Sequence, residues 1–396
     1  MSQTDFNYQK KDFPAGLSKI GLILFVVGTA LSLLAFFVDQ ERAIFNYLVT
    51  YMMIVSIGLG ALFLVALEYV AGADWSTPIR RIPEFFSALL PIMFILVIPL
   101  LIFNHDLFHW AHKEAIADDK ILQGKAPYLN VTFFIIRTFV FIGLWSLFYW
   151  MMICNSRKQD STKDQLLTKK NIRLSAIFVP VFALTLTFTA IDFMMSLEPH
   201  WFSTIFGVYF FSGIVVAALA AVTVVVVKLK EMGYFNPWMN NDHLFSLGAL
   251  LFAFINFWAY IAFSQFMLIW YADLPEETFW FITRWNGGWK FFSLGLIVIH
   301  FLVPYIALLS QPSKMNPKRL KFIGVWLLFA HLFDLFWLIM PNMESMKSGY
   351  YFSWIDLVFP IAGTGLVILV FYYKAKKENL IPIGDPKLKR GIDFHL

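Results

Sequence analysis

Seven ionisable side chains stand inside stretches otherwise apolar enough to lie in a lipid bilayer: Glu68, Arg137, Asp192, His300, His331, Asp334 and Asp356. Insertion of such a group at the centre of a membrane helix costs about 2.5–3.5 kcal/mol, which makes each a functional suspect. Carboxylates and imidazoles in a half-dry bundle take up and release protons near neutral pH. A set of them at graded depths is what a proton route or a quinone site requires. Neutralised pairs that only fix helix packing are the structural alternative.

Depth follows from the helical rise of about 1.5 Å per residue, which places Arg137 about 9 Å inside the fourth apolar stretch and Asp192 about 8 Å from the end of the fifth. Antiparallel neighbours bring these two to one level, so an ion pair is predicted. Asp334 and Asp356 fall in the outer half, His300 and His331 near mid-membrane, and Glu68 near the cytoplasmic end of the second stretch. His331 and Asp334 are three residues apart and share a helix face. His300 and His331 are also the pair from which axial ligands of a haem b would come. His105, His109 and His112 recur at i, i+4 and i+7 on a helix face, but no carboxylate or cysteine pattern completes a metal site. An interfacial amphipathic helix is predicted there, and no metal.

The elements that hold these residues must be membrane helices. Hydrophobic residues make up 59% of the 396 and charged residues 14%, against about 25% charged in a soluble globule. Ten stretches approach the roughly 20 apolar residues a crossing needs: 16–38, 46–70, 83–103, 131–154, 173–197, 202–228, 244–271, 290–310, 320–341 and 352–373. They are too long and too uniformly apolar for the alternating strands of a barrel, and helices satisfy their own backbone in lipid. Pro199, Gly233, Pro237 and Pro341 punctuate the joints. No small-residue cleavage site follows the first stretch, so it reads as retained.

Charge sets the orientation. The N-terminal segment with Lys10, Lys11 and Lys19, the even-numbered joints and the C-terminus hold 23 of the 31 Lys and Arg; the odd joints hold seven, and Arg137 lies within a stretch. Both termini are therefore predicted to be cytoplasmic, which demands an even number of crossings. The predicted organisation is a cytoplasmic N-terminus at 1–15, a ten-helix membrane domain at 16–373, and a basic cytoplasmic tail at 374–396 lying in solvent, on anionic lipid or on a partner. The basic segment 155–172 reads as a cytoplasmic helix or loop. A single cysteine, Cys154, excludes a disulfide framework, covalent haem c and a cysteine-ligated iron–sulfur cluster. No phosphate-binding loop and no nucleophile elbow is present, so the chain carries no catalytic centre of the soluble type and no signal for nucleic acid. A secondary transporter is the rival class, but no internal repeat with paired mid-membrane breaks appears.

One segment carries a family signature. Thr189-Ala190-Ile191-Asp192-Phe193-Met194-Met195-Ser196-Leu197-Glu198-Pro199-His200-Trp201-Phe202-Ser203-Thr204-Ile205-Phe206, continuing to Tyr209 and Gly213, resembles the helix–turn–helix of the NrfD-like, or polysulfide-reductase membrane-subunit, family. Ser264–Thr278, Gly72–Ser76 with Arg80, Arg81 and Glu84, and His331–Trp337 before Met340-Pro341 resemble the smaller, ActF-type subunit of alternative complex III. The resemblance spans roughly 70–345. It implies two four-helix bundles, about 46–197 and about 202–341, with the first and tenth helices peripheral. It implies a redox-inert subunit of a quinol:cytochrome c or quinol:oxidase oxidoreductase in a bacterial inner membrane. Partners would be a larger NrfD-like subunit, an iron–sulfur subunit, multihaem and monohaem cytochrome subunits, a terminal oxidase and membrane lipid. Haems and clusters would reside only in those partners, and a quinone such as menaquinone would be the one small molecule near this chain. Asp192, Ser196, Trp201 and His105 are the residues expected in its vicinity. Proton transfer is expected through Glu68, Arg137, Asp192, His300, His331, Asp334 and Asp356.

Overall fold

The computed structural model describes residues 13–236 and 238–396; Lys10, Lys11 and the rest of the N-terminal segment, and Pro237, lie outside the described residues. Ten helical segments are long and apolar enough to cross a membrane, and the described residues contain no strand. The chain is an all-α, multi-pass membrane protein. Its helices are α1 Ala15–Val38, α2 Gln40–Ala71, α3 Thr77–Ile102, α4 Val131–Thr162, α5 Gln165–Phe193, α6 Phe206–Glu231, α7 Asn241–Ala272, α8 Trp289–Leu308, α9 Pro317–Ile339 and α10 Ile355–Lys377. Ten crossings put residue 13 and the C-terminus on one side, here the termini side; the opposite side is the far side.

Two bundles, α2–α5 and α6–α9, pack along α2, α5, α6 and α9. α2 and α6 are buried along most of their length and form the centre. α1 lies against α10, and α10 leans on α2. Helix ends follow the local sequence. The Asp39 carboxylate caps the first turn of α2, and Gly72 closes it in the left-handed region at φ 66°. Asn240 and His243 form a capping box on α7.

Two spans are irregular where proline removes a backbone donor. α3, with Pro78, Pro83, Pro91 and Pro99, breaks into short α and 3-10 pieces. Tyr47 Oη donates to the Leu96 carbonyl at 2.6 Å. α8 widens into a π-helical turn at Ile297–Leu302 just before Pro304, and Trp326 Nε1 donates to Ile299 O at 2.7 Å. His300 sits within that turn.

The structure decides one expectation left open and corrects two. The segment 155–172 is a continuation of α4 and α5, which meet in a tight turn at Lys163 and Asp164. Asn155 Nδ2 donates to Asn171 Oδ1 at 2.8 Å and Gln159 Nε2 to Thr168 Oγ1 at 2.6 Å, zipping the hairpin beyond its apolar part. The basic tail is not a free segment. Leu380, Ile381, Asp385 and Leu388 are buried, and His243 Nε2 and Asn240 Nδ2 reach the carbonyls of Gly391 and Phe394. The His105–His112 stretch is not one helix, because Phe108 is extended and splits it.

Candidate functional site

The predicted pair forms. Arg137 Nε and Nη2 donate to Asp192 Oδ2 and Oδ1 at 3.0 and 2.9 Å, a bidentate fork between α4 and α5. Arg137 Nη1 donates to Tyr128 O at 2.9 Å. Its guanidinium lies 3.9 Å from the Tyr128 ring centre and 4.3 Å from that of Phe133. Both charged side chains are buried. Ser196 Oγ donates to the Asp192 backbone carbonyl at 2.6 Å rather than facing a ligand space.

A second cluster lies inside the other bundle, toward the far-side ends of α6 and α9. Asp334, on α9, accepts from Tyr209 Oη at 2.5 Å and from Trp258 Nε1 at 3.2 Å. His331, one turn away, meets Ser56 Oγ through Nε2 at 2.9 Å. Ser56 spends its own proton on Met52 O at 2.8 Å, so its oxygen accepts and His331 carries hydrogen on Nε2. That leaves Nδ1 as a bare acceptor, and Nδ1 has no partner among the described residues. His300 stacks on Trp258 with ring centres 3.7 Å apart, and neither of its nitrogens has a partner among the described residues. Leaving such buried groups unpaired costs about 1–3 kcal/mol each. Ligating atoms of His300, His331 and Asp334 all lie within 4.8 Å of one another. Gly213 makes the space: a Cβ there would stand 2.8 Å from His331 Cε1 and 3.0 Å from Nδ1.

A cavity of about 900 Å³ lies on the far side of this cluster, between α7, α8 and the short helix Pro275–Thr283. Tyr209 and Trp258, which hold Asp334, form part of its wall. Its volume falls in the range of small-molecule sites. Trp201 contributes indirectly: it is buried, donates to Glu277 O at 3.1 Å and stacks on the lining residue Trp280 at 4.5 Å. Nearby Arg284 is buried and gives its hydrogens to the carbonyls of Trp280, Trp337 and Leu338 at 3.1, 3.2 and 2.8 Å. Burial, only partly offset by the more distant Glu198 and Tyr209, pushes its pKa well below the ordinary arginine value.

On the termini side Glu68 belongs to a network that the sequence did not expose. Arg80 pairs with Glu68 at 3.0 Å, Glu84 at 3.4 Å and Asp385 of the tail at 2.6 Å. Arg81 pairs with Glu84 and Asp160, each at 2.6 Å. Four carboxylates thus share two buried guanidiniums. A smaller cavity of about 230 Å³ borders Glu68 and Arg80. The signal available was Glu84 three and four residues after Arg81 and Arg80, but hydropathy alone assigns those arginines to a loop.

Asp356 is saturated. Its oxygens accept from Arg42 Nε and Nη2 at 2.9 and 2.6 Å, Asn46 Nδ2 at 3.0 Å, Tyr350 Oη at 3.2 Å and Ser353 N at 3.2 Å. That geometry fastens α10 to α2. His105 is exposed on the far side, its ring 5.2 Å from that of His112, whose Nε2 meets the His105 carbonyl at 2.9 Å. The structure therefore brings His300, His331 and Asp334 together, and Arg137 with Asp192. Glu68, Asp356 and His105 stand apart from both groups.

The fold and the two buried clusters define a polytopic helical membrane protein with titratable groups inside its bundles. No family model and no curated protein matches the chain.

Proposed function

We propose that this chain is a redox-inert membrane subunit of a respiratory quinol:cytochrome c or quinol:oxidase oxidoreductase, of the ActF type found in alternative complex III. It supports quinol oxidation and carries protons across part of a bacterial inner membrane. The observation that carries the reading is the cluster of Asp334, Tyr209, His331 and His300, buried within the spans and bordered by a ligand-sized cavity. Packing alone has no use for two imidazoles with unpaired nitrogens, because an apolar residue of similar volume would avoid their desolvation.

In this reading Asp192, held by Arg137, exchanges protons with the outer face. Asp334 and His331 form the central relay, with Tyr209 and Ser56 as hydroxyl neighbours. Glu68 is the inner-side acceptor, next to the smaller cavity. Electron transfer belongs to haem- and iron–sulfur-bearing partners, and the larger NrfD-like subunit takes the quinol to be oxidised.

Affinity purification of the tagged chain from its native membranes tests this. Co-purifying haem absorbance with quinol oxidase or quinol:cytochrome c activity supports the proposal. An isolated monomer or dimer that takes up solute would replace it with a secondary transporter.

A further inference from the structure

The other buried carboxylates of the spans pair with arginine: Asp192 with Arg137, Asp356 with Arg42, Glu68 with Arg80, and Glu84 with Arg80 and Arg81. Asp334 is the exception. Its hydrogen-bond partners are the neutral donors Tyr209 and Trp258, and no Lys or Arg among the described residues pairs with it. Burying an acid without a counter-ion is costly. What stands beside it is a pair of imidazoles, His300 and His331, with ligating atoms of all three residues within 4.8 Å of one another. All three side chains are buried.

Each of the three offers a lone pair. His331 donates its Nε2 hydrogen to Ser56, so its Nδ1 is bare. A neutral His300 has one bare nitrogen as well, and neither of its nitrogens has a partner among the described residues. Each Asp334 oxygen accepts one hydrogen bond and keeps further acceptor capacity. Acceptors gathered this closely repel one another unless a cation stands between them. Gly213 leaves the space for one: a Cβ there would stand 3.0 Å from His331 Nδ1 and 3.9 Å from Asp334 Oδ2. The His300 ring is held by stacking on Trp258, and it sits in a π-helical turn, a feature frequent at functional sites. The donors come from α8 and α9, so their spacing along the chain carries no ligand motif.

The donor set selects the ion. Calcium and magnesium prefer oxygen ligands alone, whereas imidazole nitrogen with a carboxylate suits zinc and its first-row neighbours. A tetrahedral ion with bonds of about 2.0–2.1 Å holds its ligand atoms about 3.3 Å apart, so even the widest gap of 4.8 Å closes by about 1.5 Å. An entry path exists in the large cavity. Exposed Asp273 lines it, Gln265 adds an Oε1 with no partner among the described residues, and Tyr209 and Trp258 join its wall to Asp334.

We propose that His300 and His331, each through a ring nitrogen, and Asp334, through a carboxylate oxygen, form an intramembrane site for a divalent transition metal of the zinc class, loaded from the cavity. Three protein donors leave the fourth position of such an ion open. The site stands on the geometry alone. That a bound ion stops proton transfer, because ion and proton use the same lone pairs, rests on the functional reading above.

The test uses the full-length chain, purified without a polyhistidine tag, stripped with a chelator and placed in nanodiscs. Equilibrium dialysis measures Zn2+, and visible absorption reports the geometry of bound Co2+. One zinc per chain and the intense bands of tetrahedral cobalt are expected. His300→Phe and His331→Phe should each weaken zinc binding by more than about tenfold, the least that loss of even an outer-shell partner produces. Ser56→Ala, which removes only the group that sets the His331 tautomer, should weaken it about tenfold. His300→Cys guards against a folding defect: it should bind zinc again and add a thiolate-to-cobalt band. The histidines at 105, 109 and 112 are the competing surface donors, and the variant with all three changed to Ala should bind like the parent. Zinc binding lost in that triple variant, or unchanged in His300→Phe and His331→Phe, would mean an adventitious ion only and overturns the proposal, as does a parent chain that binds no zinc. Proton release by the complex separates this outcome from the functional reading. Zinc that fills the site without slowing release sinks the relay and keeps the site; release lost in Asp334→Asn by a chain that binds no zinc sinks the site and keeps the relay.

Discussion

The Arg137–Asp192 pair allows packing and proton traffic to be pulled apart. Removing one member of a buried ion pair costs about 3–5 kcal/mol, because the other is left as an uncompensated buried charge. In Asp192→Asn the orphan is the Arg137 guanidinium. It keeps its bond to Tyr128 O at 2.9 Å and its seat 3.9 and 4.3 Å from two aromatic ring centres. A cation–π contact contributes about 2 kcal/mol when desolvated, so the net loss should be about 1–3 kcal/mol. In Arg137→Met the orphan is the carboxylate, with no aromatic face to offset it, and the loss should sit at the upper end of the 3–5 kcal/mol range. The double variant Arg137→Met/Asp192→Leu removes both charges and should return to within about 1 kcal/mol of the parent, since apolar replacement of a whole buried pair is often neutral. Equilibrium unfolding in mixed detergent–SDS micelles measures all three. The stable double variant then goes into the assembled complex, where proton release should fall although the subunit is folded. Single variants that lose less than 1 kcal/mol, or a double variant as unstable as the singles, would refute the electrostatic reasoning. A double variant with unaltered proton release would leave the pair as packing only.

Three further outcomes follow from other parts of the fold. Asp356→Asn should destabilise the α2–α10 contact, lowering the melting temperature, yet leave proton release per electron unchanged, because all five donors around this carboxylate are structural; altered proton stoichiometry in a folded variant would contradict this. Gly213→Ala should displace the His331 ring, whose Cε1 would lie 2.8 Å from the new methyl; a structure of the variant with an unmoved ring would show the reading of Gly213 to be wrong. Asp119, outside the spans, is held below the usual aspartate value first by the His200 hydrogen bond, then by the Leu122 and Ile121 amides. A depressed folded pKa means its contribution is complete above the ordinary value near 3.8 and is lost as pH falls through the folded value. Amide protection relative to the intrinsic exchange rate in 119–125 should therefore fall only below about pH 4 in the parent, and should already be lower at pH 6 in Asp119→Ala.

Much of the framework was legible because hydropathy and charge act along the chain. The ten crossings follow from apolar length, and the level of Arg137 with Asp192 from counting residues inward along two antiparallel helices. Features set by tertiary contact are not legible in this way. α4 and α5 run past the apolar slab because Asn155 meets Asn171 and Gln159 meets Thr168, pairings that no hydropathy window registers. The tail reads as lying in solvent, on anionic lipid or on a partner because its lysines dominate the count, while the residues that anchor it to the bundle are Leu380, Ile381, Asp385 and Leu388. His331 and Asp334 were visible as a shared face, but Tyr209, Trp258 and Ser56, which determine what that face can do, come from three other helices. His300 was visible as a mid-membrane histidine, whereas its place in a π-turn depends on Pro304 four residues later. The cavity had no sequence signal, since its tryptophans are indistinguishable from the many aromatic residues that face lipid.

The central claim is that the buried cluster around Asp334 serves protons. Asp334→Asn tests it most directly, because the amide keeps the shape and an acceptor for Tyr209 or Trp258 while losing the site for a proton. The measurement is protons released per electron during quinol oxidation by the complex in sealed vesicles. The expected result is a complex that assembles and still oxidises quinol, with a clearly reduced proton-to-electron ratio. An unchanged ratio in the assembled Asp334→Asn complex would contradict it and leave the cluster as an element of packing.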